Sequence, residues 1–259
     1  HILWTDLNLA AIDHIIATHD AAQPLCLLVC AHSPHVYWEP GDYDLAKVSL
    51  PPFLLDTPET RAMRAEYYAD VTHLDSQIGA VVTSLETHGY AENTLFVYTH
   101  DHGAQWPFCK WNLYDGGSHS PLSIRWPGKI EPAPRSDAMI STIDLLPTFI
   151  DAAGGSVPNN IDGLSCLPLL NGQRDKHRDV VYATHTGDGN MNRAPMRCIR
   201  TSRYKFIHNL APQIDYHTHI DAGEDLDGLR YWKTWEAQAK TDAVAKSVVD
   251  GYHHRPAEE

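Results

Sequence analysis

The decapeptide TLFVYTHDHG, residues 94–103, ends an apolar run in two histidines, an aspartate and a glycine. Asp101 and His102 set a carboxylate beside an imidazole, a pair able to share a divalent cation. Gly103 lets the backbone turn sharply behind them. Read alone, these residues fit a metal-binding loop and a polar strand cap equally. The loop HSPH adds His32 and His35, and CKWNLYDGGSHSP, residues 109–121, adds Lys110. An acid, a metal-capable pair and a lysine gathered in one place suit cleavage of an ester of a tetrahedral oxyanion. A metal and a cation would balance its charge while a histidine protonates the leaving oxygen.

Regular elements must deliver these loops. The run LFVYT, residues 95–99, predicts a strand buried on both faces, as in a parallel sheet. LCLLVCA, residues 25–31, predicts a second such strand, with Cys26 and Cys30 as core residues. Between them Thr57, Pro58 and Glu59 open a long helix, Leu74, Ile78, Val81, Val82 and Leu85 form its buried stripe, and Gly89 closes it. That order predicts a strand–helix–strand unit with a parallel crossover. Both histidine loops would then emerge at one carboxyl edge, where open α/β sheets bind ligands.

A helix is expected over residues 3–19, a strand at PLSIRW (121–126) and a helix at TIDLLPTFIDAA (142–153) with Pro147 inside it. Beyond about residue 175 the texture changes. Val180–Thr184, Met196–Thr201 and Tyr204–His208 predict short strands of a smaller antiparallel unit, and residues 226–250 predict helix. The division is residues 1–175 for the main α/β part and 176–259 for the C-terminal subdomain. His253 and His254 are expected to be solvated.

The 259 residues are 43% hydrophobic and 20% charged, an ordinary soluble globular composition. The formal charge of −13 argues against nucleic acid or an anionic membrane as the general partner, so an anionic substrate would need a local basic site. No apolar run approaches the roughly 18 residues of a membrane span. The five cysteines show no metal-type spacing and leave the redox compartment open. The chain starts at His1 and stops at RPAEE without a cap, and material is expected to be missing at both ends.

Four ordered stretches carry a family resemblance: YYADVTHLDSQIGAVVTSLETHGYAENTLFVYTHDHG, KWNLYDGGSHSPLSIRWPGKI, STIDLLPTFIDAAG and IDGLSCLPLL. Together they resemble the type I sulfatases of the alkaline-phosphatase-like superfamily. APMRCIRTSRYKFIHNL resembles the C-terminal part of the heparan N-sulfatase (sulfamidase) group. The resemblance implies an α/β fold, a mixed sheet flanked by helices, with its N-terminal part absent here and a small antiparallel α+β subdomain following. It implies hydrolysis of sulfate esters or sulfamates with a calcium ion and a formylglycine made from Cys or Ser. Sulfated sugars or small sulfate esters are the expected substrates, and a periplasmic, secreted or lysosomal location is expected.

Carried over by motif, Asp101 and His102 match metal ligands, Lys110 the lysine on a sulfate oxygen, and His35 the histidine assisting departure of the alcohol. His185 and Arg197 are candidates to contact an acidic saccharide, with a structural role standing beside it for each. Cys109 is expected to pack rather than react.

Three departures from the family pattern matter. The formylglycine consensus, Cys or Ser then x, Pro or Ala, x, Arg, is absent: Cys166 gives CLPLL, without the arginine. The family's early paired aspartates are absent too, so a missing N-terminal segment of the same protein is expected to bring both. Histidine at position 102, where many sulfatases carry Asn, suits zinc better than calcium. Calcium is still expected ahead of zinc, because DHG also occurs within sulfatases. The alternatives are a metal-dependent phosphodiesterase or phosphonate hydrolase of the same superfamily, and a non-catalytic sugar-binding relative.

Overall fold

A computed structural model describes residues 6–132, 135–187 and 192–259. Helix α1 (Leu9–Thr18) starts where the Asn8 side chain accepts from Ala11 N. It lies on α2 (Pro58–Thr87), which starts as its sequence dictates, with the Thr57 hydroxyl accepting from Thr60 N at 3.1 Å. The buried line of α2 includes Leu74 and Val81 but also Gln77 and Ser84, while Ile78, Val82 and Leu85 are half-buried. The polar members have a reason. Asp13 of α1 accepts from the Ser84 hydroxyl at 2.6 Å, and Gln77 faces Asp6. The predicted helix over residues 3–19 is thus shorter, and residues 3–5 lie outside the described residues.

Strand β1 (Phe96–Thr99) follows α2 and pairs antiparallel with β2 (Leu122–Arg125), Phe96 opposite Arg125 and Thr99 opposite Leu122. The short helical turn α3 (Asp115–Ser118) lies between them. This corrects the parallel crossover. Residues 25–31 form no strand: Leu25, Leu28, Cys26 and Cys30 are exposed rather than core. An apolar segment becomes a strand only by hydrogen bonding to a neighbour, and this one pairs with no strand among the described residues. For the same reason β1 is half-buried rather than enclosed on both faces.

A 3-10 turn, Thr142–Asp144, leads into α4 (Leu145–Ala152), where Pro147 sits in the first turn and breaks no hydrogen bond. After the turn α5 (Leu167–Leu170), β3 (Val180–His185), β4 (Met196–Thr201) and β5 (Lys205–Asn209) form an antiparallel sheet in the order β3–β4–β5. The turn α6 (His219–Ala222) precedes α7 (Leu229–Ala239) and α8 (Ala243–His253). The expected helix over 226–250 is therefore two, restarted by the Asp242 side chain capping Val244 N and Ala245 N. No helix among the described residues is long and apolar enough to cross a membrane.

One core draws on both sides of residue 175. Trp38, Met63 and Trp106 pack with Met196, Ile207, Tyr231, Trp232, Trp235 and Tyr252. Its polar edges are satisfied: the Trp235 indole donates to Thr60 Oγ1 at 2.9 Å. His253, expected to be solvated, is half-buried with its ring 5.5 Å from Trp232, whereas His254 is exposed.

Candidate active site

The chain leaves β1 at Thr99 and turns through Asp101, His102 and Gly103. Gly103 N donates to Gly117 O at 2.9 Å, and a Cβ on Gly103 would lie 1.7 Å from Gly116 O. Only glycine lets this loop lie against α3. Residues 104–111 then wind back, with Lys110 N donating to Ala104 O at 3.0 Å. Phe108 and Trp111 flank Lys110, each with a left-handed φ of 63°. Such non-glycine conformations cost about 1–3 kcal/mol each and persist only where the surroundings impose them. Here Trp111 O accepts from the buried Tyr216 hydroxyl at 2.8 Å, and the Phe108 ring packs edge-on against Tyr252.

The product of this winding is the position of Lys110. Its Nζ lies 3.0 Å from His35 Nε2, 3.3 Å from Gln105 Oε1 and 4.7 Å from the centroid of the Trp111 ring. Gln105 is buried and donates to Asp227 O and Oδ1, which fixes its carbonyl toward the ammonium. His35 Nδ1 lies 2.6 Å from Val36 O. A carbonyl only accepts, so Nδ1 carries the proton and the Nε2 lone pair faces Lys110. Burial pushes the His35 pKa down; the Val36 bond opposes this, and the nearby Lys110, His32 and His102 charges add to it. The HSPH loop is anchored from beneath. The Trp38 indole donates to Pro34 O at 2.9 Å and stacks on Trp106.

His102 Nδ1 lies 2.8 Å from Gly103 O, which by the same logic leaves Nε2 as an acceptor aimed at Asp101 Oδ2, 3.4 Å away. Asp101 is exposed. This carboxylate and imidazole fit one edge of a divalent-cation site. Calcium takes six to eight oxygens and zinc about four ligands, so further donors complete the sphere in either case.

A wide cleft runs from Asp101, His102 and Lys110 to His185 on β3 and to Arg200 and Lys205. The last two grip Asp115 at 2.7 and 2.6 Å. Burial pushes the Asp115 pKa up, but the Lys205 and Arg200 bonds outweigh it and hold the carboxyl below its ordinary range. Arg197 lies elsewhere. Strand alternation puts it on the face opposite Cys198, with Nη1 donating to His185 O at 3.3 Å and Met196 O at 2.8 Å. Cys109 is buried and its thiol is pushed up to about 11 by that burial, consistent with packing rather than nucleophilic chemistry.

Sequence reasoning brought His35 and Lys110 to one place and passed over Gln105, Trp111 and the Arg200–Lys205–Asp115 group. Gln105 carried no signal, since its role depends on Asp227, 122 residues away. Trp111 could have been suspected from its position beside Lys110.

The profile of the family described as Sulfatase matches residues 3–156. The chain belongs to the sulfatase family. A second profile, N-sulphoglucosamine sulphohydrolase, C-terminal, matches residues 102–248 of this sulfatase chain. An ulvan-active sulfatase of Formosa agariphila is 32% identical over 196 residues, 73% of this chain and 39% of that protein. Among solved structures, a crystal structure from Bacteroides fragilis assigned to the sulfatases aligns with a TM-score of 0.66 at 20% identity, over 94% of this chain and 58% of its own. Another, in complex with its substrate D-glucosamine-2-N,6-O-disulfate, aligns with a TM-score of 0.52 at 25% identity, over 74% of this chain and 41% of its own. These likenesses give the sulfatase chain the α/β fold of alkaline-phosphatase-like sulfatases. It spans less than half the length of the curated relatives it matches.

Proposed function

We propose that the protein carrying this chain hydrolyses sulfate esters or sulfamates on sulfated saccharides. The single observation behind this reading is the Lys110–His35 contact of 3.0 Å beside the facing pair Asp101 and His102, at one end of a cleft with cationic groups along it. A sulfate seated there would place its bridging oxygen against Lys110 Nζ and His35 Nε2. The ammonium stabilises negative charge growing on that oxygen, and the proton lying between Nζ and Nε2 is the one available to the departing alcohol or amine. Gln105 and the Trp111 ring hold the ammonium in place while it does so.

Asp101 and His102 would hold a divalent cation, and we favour calcium; when bound, it would polarise a sulfate oxygen. His185, on the cleft wall, would meet the sugar, and Arg197 would support it by bonding its carbonyl. No cysteine or serine of this chain fits the formylglycine pattern, so the nucleophile and the remaining metal ligands are proposed to come from another segment of the same protein.

The test is sulfate release, followed by ion chromatography, from N- and O-sulfated glucosamine oligosaccharides and from an aryl sulfate. The full-length protein is expected to turn over both classes, and the 259-residue chain alone neither. Faster hydrolysis of an aryl phosphonate ester than of any sulfate would replace this reading with the phosphonate hydrolase one. Saccharide binding without hydrolysis would replace it with that of a non-catalytic relative.

A further inference from the structure

The segment that enters α6, α6 itself and the end of α8 carry a second cluster of ligating groups, sharing no residue with the candidate active site. His217, Asp221 and His253 each offer one ligand atom, and the three atoms lie within 4.8 Å of one another. Among the described residues this is the trio of His, Cys, Asp or Glu side chains that closes so tightly. We propose that it binds a zinc-type divalent metal ion and clamps α6 to the end of α8.

The ligands are held by features that a chance surface cluster lacks. Thr218 and Asp221 form a capping box at the start of α6: Thr218 N donates to Asp221 Oδ1 at 2.7 Å. The buried Tyr252 hydroxyl donates to the same oxygen at 2.9 Å. Both bonds go to Oδ1, which turns Oδ2 toward His217 Nδ1 at 2.5 Å. His253 Nδ1 lies 3.0 Å from Tyr216 O, so it donates there and leaves the Nε2 lone pair as the ligand. Bonding of the second imidazole nitrogen to a carbonyl, and of the second carboxylate oxygen to fixed donors, is the arrangement that orients metal ligands. Tyr216 N also donates to His253 O at 2.8 Å, so the backbone already pins the two segments together.

Ligand chemistry selects the ion. Two imidazoles and one carboxylate suit zinc and its transition-metal neighbours and are poor for calcium. Bonds of about 2.0–2.2 Å put tetrahedral ligands roughly 3.3 Å apart. Metal binding therefore has to open the 2.5 Å His217–Asp221 contact and release its proton, a shift that His217, half-exposed at 49%, is placed to make. Asp221, at 3%, is the fixed member. Solvent on the His217 side would fill the fourth position. The clamp would act on the segment whose Tyr216 hydroxyl holds Trp111 O and whose His219 ring stacks on Trp111 at 5.1 Å.

The test uses metal alone. After chelation, the purified Asp101→Ala/His102→Ala protein is titrated with Zn2+ by calorimetry and with Co2+ by visible absorption. One equivalent of Zn2+ is expected to bind, to compete with Co2+ but not with Ca2+, and to raise Tm by about 5 °C at saturating metal. His217→Ala, at an exposed position, is expected to keep its circular dichroism and to abolish the site. Tyr252→Phe, which removes a bond to Asp221, is expected to weaken it by about 10–100-fold. No zinc uptake by the parent protein, or unchanged affinity in a folded His217→Ala, would overturn the proposal. The outcome is independent of whether the protein releases sulfate.

Discussion

Lys110 Nζ and His35 Nε2 meet at 3.0 Å although 75 residues separate them in the chain. Each comes from a loop whose shape is set elsewhere, His35 by the tryptophans beneath HSPH and Lys110 by the left-handed residues that flank it. The first prediction concerns the chemistry of this contact. In the full-length protein, Lys110→Ala is expected to lower kcat by about 10²–10³, the usual cost of losing one donor that stabilises transition-state charge. Lys110→Arg should recover part of it, because the charge is kept but spread over a planar fork. Measured kcat and KM on an aryl sulfate and a sulfated sugar decide this. An unchanged kcat in Lys110→Ala would reduce Lys110 to surface charge.

His35 should titrate below the ordinary histidine value of 6.5, because burial and the Lys110 charge both disfavour its cation. Lys110→Gln removes one of these causes, so the titration seen by NMR should move upward. The stability consequence has a definite sign. The unfolded chain takes up this proton more readily than the folded one, so His35's contribution is present above about pH 6.5 and is lost as pH falls below it. A His35 resonance that titrates identically in both proteins would mean that the ammonium does not act on the imidazole.

Asp144 anchors the TIDLLPT segment and is fully buried. Burial pushes its pKa up, but bonds from Arg178, Leu164 N, Ser141 N and His177 overcome that and bring it down to about 2. Asp144→Asn is expected to cost about 1.5–3 kcal/mol, the worth of the charge-assisted hydrogen bonds that the half-buried Arg178 guanidinium makes to the buried carboxylate. In the parent protein this contribution holds above about pH 4, the unfolded aspartate range, and fades as pH falls toward 2. Urea unfolding of both proteins at pH 7 and pH 3 checks it: the gap between them should narrow in acid.

Gly103→Ala should be destabilising by roughly 1–3 kcal/mol or more, the cost of forcing atoms into filled space, because the new methyl meets Gly116 O at 1.7 Å. The loop that carries Lys110 lies on the same contact, so the variant should also lose the Lys110 effect on the His35 titration. A variant with the parent's urea midpoint would show that the loop relaxes without cost.

Local rules were enough for several elements. The Thr57-Pro58-Glu59 start of α2, the β2 run at PLSIRW, the helix at TIDLLPT and three short C-terminal strands were legible because caps, periodicity and β-branched runs act over a few residues. The sulfatase motifs, and with them Asp101, His102, Lys110 and His35, were equally legible as residue patterns. Tertiary structure alone decided the rest. Whether LCLLVCA becomes a strand depends on a pairing partner, and whether β1 runs parallel or antiparallel depends on which neighbour it meets. Gln105, the His217–Asp221–His253 trio and the burial of His253 depend on contacts between segments 31 to 122 residues apart, or on a ring packed against α7. A sequence carries side-chain chemistry and local conformational preference; the approach of distant side chains is set by the core that packs between them, here the stacked tryptophans joining α2 to α7.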